Sequence, residues 1–92
     1  MSISFGKQEI HALIDKDSRG NYIQVSTLAD KMWSLDVRQM YTTSDGEIKP
    51  TTKGVRMNEE LVIDVLAECI NALPEDLYEE LMERVANEDF EN

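Results

Sequence analysis

Ser34-Leu35-Asp36-Val37-Arg38-Gln39-Met40-Tyr41-Thr42-Thr43-Ser44-Asp45-Gly46-Glu47-Ile48-Lys49-Pro50-Thr51-Thr52-Lys53-Gly54-Val55-Arg56-Met57 is the stretch on which the fold turns. Trp33, Leu35 and Val37 alternate with Ser34, Asp36 and Arg38, the period-two pattern of a strand from about Met32 to Tyr41. Parity predicts Leu35 and Val37 toward the core and Arg38 away from it. Asp45-Gly46 is a hairpin turn signal, so Glu47-Ile48-Lys49 should return as a short strand. Pro50 has no N–H for a sheet ladder and suggests an edge or a strand end. Gly54-Val55-Arg56-Met57 reads as a last short strand, Val55 and Met57 inward and Arg56 outward. Cations interleaved with an aromatic ring on a sheet surface suit a flexible polyanion carrying flat bases.

Upstream, Ile10, Ala12 and Ile14 give an imperfect alternating strand. Asp15 to Asn21 forms a polar loop with a glycine able to take positive φ. Tyr22 to Leu28 is rich in aromatic and β-branched residues and reads as a second strand. Ala29-Asp30-Lys31 is short enough for a hairpin connection. Downstream the character changes at Asn58, a good N-cap followed by Glu59 and Glu60 at the positive end of a helix dipole. Leu61, Val62, Val65, Leu66, Cys69 and Ile70 recur at helical spacing. The helix should end near Leu73, with Pro74 ending it, kinking it, or opening a second helix. That second segment carries an apolar stripe of Leu77, Tyr78, Leu81, Met82 and Val85, and Ala86 to Asn92 should fray. Strands followed by helices give an α+β class: about four to five antiparallel strands, then one or two helices. The expected division is a sheet-plus-helix domain over residues 1–73 and an acidic helical extension over 74–92.

Ninety-two residues, 41% apolar and 30% charged, suit one folded domain with a modest core. No run could span a bilayer, and Met1 to Lys7 lacks the pattern of a signal peptide, so a cytoplasmic protein is expected. One cysteine excludes an internal disulfide, and with one histidine it argues against a zinc site; no metal or cofactor is expected. The net charge of −10 is unevenly placed. Residues 1–56 hold eight Lys/Arg against seven acids, whereas residues 57–92 hold one Arg against twelve acids. The acid therefore belongs to the C-terminal segment and leaves the strand region near neutral.

With these features in place, Asp36-Val37-Arg38, Tyr41, Asp45-Gly46-Glu47-Ile48-Lys49-Pro50 and Lys53-Gly54-Val55 resemble the positive cofactor four family. Its members are transcriptional coactivator-like proteins that bind single-stranded DNA. The similarity spans about residues 22–73. It implies a curved antiparallel sheet of about four strands and a helix, paired into a homodimer whose sheets form channels for single strands. The matching contact positions are Arg38, Tyr41, Lys49 and Lys53, with Lys31 as the hairpin lysine. Arg56 joins them only through its outward parity. Tyr41 stands where eukaryotic members commonly carry tryptophan; a phenol still stacks on a base, with less area. Leu28-Ala29-Asp30 replaces an expected aromatic and lysine, which implies modest affinity. The Lys/Ser-rich N-terminal tail of eukaryotic coactivators has no counterpart, so the chain looks more like a bacterial or phage member, in a nucleoid or an infected cell.

Each assignment has a plainer competitor. Arg38, Lys49 and Lys53 could be ordinary surface charge, and Tyr41 a wall residue. Trp33 shares parity with Leu35 and Val37 and is read as core, and Cys69 as a packed thiol. The apolar helix face Leu61, Val62, Val65, Leu66, Cys69 and Ile70 is the expected dimer interface. The acidic end could be a solvated face, could recruit a partner through Glu88-Asp89-Phe90, or could fold over the channel and compete with DNA. Scattered carboxylates such as Asp36 and Glu47, without a His/Cys/Ser constellation or a glycine-rich phosphate loop, do not make an enzyme.

The sequence thus points to a homodimeric single-stranded DNA-binding protein with little sequence preference, in replication, recombination or transcription. Four phosphates neutralised per channel imply a log–log salt slope of about −3. The alternative is an acidic protein-interaction module that docks on a replication or transcription partner.

Overall fold

The computed structural model describes residues 8–29 and 32–91, with side chains as far as residue 88. Among the described residues the order is β1 (Gln8–Asp15), β2 (Asn21–Ala29), β3 (Trp33–Thr42), β4 (Ile48–Asn58), α1 (Glu59–Ala72) and α2 (Glu75–Glu91). The strands form one curved antiparallel sheet in the order β1-β2-β3-β4, so β1 and β4 are its edges. The α+β reading holds. The two short return strands expected around Pro50 are instead one long strand, β4, interrupted by a bulge: Arg38 pairs with Gly54 but Met40 with Pro50. Pro50 is tolerated because β4 is an edge.

Two turns follow from local chemistry. Between β1 and β2, Asp17 Oδ1 accepts the backbone N–H of Arg19 at 2.9 Å and of Asn21 at 3.4 Å, and its Oδ2 accepts Asn21 Nδ2 at 3.0 Å. Between β3 and β4, Gly46 turns at φ 86°, and its N–H donates to the Thr43 carbonyl at 3.0 Å. The Glu47 N–H donates to Thr43 Oγ1 at 3.0 Å. A positive φ is open to glycine without a Cβ penalty, which is why Asp45-Gly46 marked this turn correctly.

The contacts divide the chain into two compact units, residues 1–62 and 63–92. In the first, the buried apolar side chains are Met40, Met57 and Val62, and the buried polar ones are Gln24, Ser26 and Asp36. This corrects the parity reading of β3. Asp36, expected to face away from the core, is 3% exposed, while Leu35 and Val37 are only half-buried and Val55 is 54% exposed. Gln24, Ser26 and Met40 on the same face are buried as well, so this face of the sheet is a covered one, and Asp36 is bonded there to Arg38 and Arg56.

The first helical turn belongs to the same unit. Asn58 Oδ1 accepts the Leu61 N–H at 2.9 Å, the N-cap bond expected from the sequence. Asn58→Ala should lower stability by about 1 kcal/mol in a denaturant titration, with Asn58→Ser close to the parent; equal loss in both variants would deny the cap its role.

In the second unit the helices carry their apolar residues largely in the open. Ile63, Leu66, Leu77, Tyr78 and Val85 are exposed, and so is Cys69, which is not the packed thiol expected. The segment Ala86 to Glu91, expected to fray, continues α2. Among the described residues no helix is long and apolar enough to cross a membrane.

Candidate nucleic-acid interface

Strand pairing decides which predicted site residues share a face. Arg38 lies opposite Gln24 on one side and Gly54 on the other, and Asp36 lies opposite Ser26 and Arg56. Arg38, Asp36 and Arg56 therefore project from one face. With Gln8, Ile10, Gln24, Met40, Ile48, Pro50 and Thr51 they line a groove of about 510 Å³.

At its centre two guanidiniums share one carboxylate. Asp36 Oδ1 accepts from Arg38 Nε at 3.1 Å, and Oδ2 accepts from Arg38 Nη2 at 2.9 Å and from Arg56 Nε at 3.2 Å. Arg38 Nη1 donates to the Thr51 carbonyl at 3.0 Å, which the β4 bulge turns toward it. Burial opposes ionisation of Asp36, but the hydrogen bonds and positive charges of Arg38 and Arg56 outweigh it and hold the carboxyl below its usual range. The Asp36 hydrogen bond in turn raises the Arg38 pKa. Two cations and one anion leave this cluster with one net positive charge.

The close approach of β3 and β4 here depends on Gly54. A Cβ at that position would stand 2.9 Å from Cα, Cβ and Cζ of Arg38. Nothing in the sequence signalled this contact, because it depends on the pairing register across the bulge. Read along the sequence, Asp36 is one of several scattered carboxylates. Its spacing of two from Arg38 on a strand was the available sign of a same-face pair.

The other predicted cations do not gather in this groove. Tyr41 pairs with Lys49, and both lie an odd number of positions from Arg38 and Arg56, so strand alternation puts them on the opposite face of the sheet. Lys49 Nζ stands 3.5 Å from Glu47 in an exposed pair, which is worth little. Lys53 is exposed within the bulge, where its N–H donates to Thr51 Oγ1 at 3.0 Å. Lys31 lies outside the described residues, as do the side chains of Asp89 and Phe90. Lys49, Lys53 and Arg56 have in common that all three stand on the edge strand β4. Among the described residues no group of three His, Cys, Asp or Glu could hold a metal ion.

The sequence model of Transcriptional Coactivator p15 (PC4) matches residues 17–67, more than half of the chain and all of β2, β3 and β4. The chain belongs to the PC4 family. Among solved structures, a PC4 homolog from Burkholderia pseudomallei is similar to it, at 26% sequence identity and a TM-score of 0.62, covering 75% of this chain and 93% of that one. No match was found among curated proteins. The PC4 match takes in the arginine–aspartate cluster, the bulge and the first turns of α1, but not Gln8 and Ile10 of the groove, and it ends before α2.

Proposed function

We propose that this PC4-family protein binds single-stranded DNA with little sequence preference, as a cytoplasmic homodimer acting in replication, recombination or transcription. The observation that carries the reading is the groove: a guanidinium pair with one net positive charge, between side-chain amides and the apolar walls Ile10, Ile48 and Pro50. Guanidinium suits phosphate, and apolar walls suit the faces of unpaired bases, whereas a duplex hides those faces. The cations of β4 extend this surface. Lys49 to Arg56 span about 20 Å along the edge, so a single strand leaving the groove crosses the edge toward Lys49 and Tyr41. Tyr41 would stack on a base there.

The face split changes the expected salt dependence. Arg38 is internally matched by Asp36, which leaves Lys49, Lys53 and Arg56 as the phosphate contacts on β4. At about −0.7 per contact they give a log–log slope of about −2, shallower than four contacts would. Fluorescence anisotropy with labelled oligo(dT) and a duplex control, at several salt concentrations, measures it. Lys49→Ala with Lys53→Ala should weaken all single strands alike and bring the slope to about −0.7. Equal affinity for duplex, or binding only above millimolar, would reject the reading.

Dimerisation rests on α1. Of the expected interface residues, Leu61, Leu66 and Cys69 are exposed, Val65 and Ile70 half-buried, and Val62 buried. Light scattering with Leu66→Glu tests it: a monomer is expected for the variant and a dimer for the parent.

One observation favours the second reading, a protein-interaction module. Residues 63–92 hold ten acids against one arginine, and α2 leaves Leu77, Tyr78 and Val85 exposed beside them. A partner with a basic rim around an apolar strip would fit. The same anisotropy series separates the two readings, since a module of this kind shows no oligo(dT) binding.

A further inference from the structure

The two arginines of the groove are not equivalent. Arg38 spends Nε, Nη1 and Nη2 on Asp36 and the Thr51 carbonyl, and its side chain is 23% exposed. Arg56 spends only Nε, and its side chain is 57% exposed. Among the described residues neither terminal nitrogen of Arg56 has a protein partner. A guanidinium anchored at Nε with both Nη groups free is oriented to fork onto two oxygens of one phosphate.

We infer that Asp36 is a positioning residue: it locks Arg38 as framework and aims the free fork of Arg56 at one backbone phosphate in the groove. This rests on the single-strand reading above and assigns the roles within it. Arg56 makes the phosphate contact, Asp36 touches no ligand, and Arg38 holds Asp36. A carboxylate beside a phosphate site would ordinarily repel its ligand. Here Asp36 is buried beneath the two arginines and the cluster remains net positive, so what it contributes is geometry.

The opposing signs make this testable. Asp36→Asn adds one positive charge to the groove, and if Asp36 only competed with phosphate, affinity for oligo(dT) would rise. The positioning role requires the reverse: affinity falls by about tenfold, the scale seen when outer partners of metal ligands are removed. The loss should vanish when Asp36→Asn is made in an Arg56→Ala background. Tighter binding, or the same loss in both backgrounds, overturns the inference. Should Asp36→Asn not fold, Arg56→Lys serves instead. It keeps the charge and loses the anchored fork, so affinity should drop severalfold at an unchanged salt slope, and undiminished affinity would count against the role.

A readout independent of DNA separates this inference from the reading it rests on. In the free protein the Arg56 Nε–H resonance should shift on adding inorganic phosphate, and that response should be lost in Asp36→Asn. If wild type fails to bind oligo(dT) but shows this response, the DNA reading falls and the Asp36 assignment stands. If Arg56 Nε–H does not respond to phosphate, the assignment falls.

Discussion

Asp36→Ala should lower the unfolding free energy by about 3 kcal/mol, among the largest losses available to a single substitution in this sheet. Removing one partner of a buried ion pair costs about 3–5 kcal/mol, because the other charge is left without compensation. The lower end applies, since Arg56 reaches water while Arg38 stays mostly covered. A urea titration at neutral pH measures the loss, and a change under about 0.5 kcal/mol, typical of surface positions, would show that the cluster has no structural role. Acid gives a second check. The Asp36 carboxyl is held below its ordinary value in the folded protein, so its contribution is complete above about pH 4, the unfolded carboxylate range. It is lost as the pH falls through the folded value. The stability gap between wild type and Asp36→Ala should therefore stay constant from neutral pH to about 4 and close below it. A gap that closed on the alkaline side would have the wrong sign for this carboxylate.

Gly54→Ala should cost about 2 kcal/mol, within the range for overpacking, or about 10 °C in melting temperature for a domain of this size. The added methyl meets Cα and Cβ of Arg38 at 2.9 Å, and a backbone atom cannot swing away as a side-chain tip can. The strands must separate, and with them goes the geometry joining Arg38 to the Thr51 carbonyl. Oligo(dT) affinity should fall along with stability. Lys53→Ala, one residue away and exposed, should leave the melting temperature almost unchanged. Equal melting of Gly54→Ala and Lys53→Ala would mean that the strands have room to spare at the bulge.

The groove and the edge strand together explain how an acidic chain can present a cationic surface. All of the Lys and Arg residues but Arg84 precede Met57, and three of them fall on β4. The acids from residue 59 onward give the chain its low isoelectric point. At an edge strand, alternating side chains reach both faces, so a ligand that crosses the edge can use cations of either parity.

Local chemistry determined much of this protein. Alternation along Trp33 to Tyr41, the Asp45-Gly46 turn, the Asn58 cap and the break at Pro74 each depend on residues a few positions apart, and the turn, the cap and the order of strands then helices follow from them. The run from Asp36 to Val55 was specific enough to point to the PC4 family. Alternation also put Arg38 on the same face as Asp36 without reference to any partner strand. What the tertiary structure alone decided was how that face is used. The β3–β4 register brings Arg56 to Asp36 across twenty positions, makes Gly54 a contact with Arg38, and joins two expected short strands through a bulge. Pairing across strands depends on residues distant in sequence, so a carboxylate that alternation alone reads as solvated becomes a buried one bonded to two arginines.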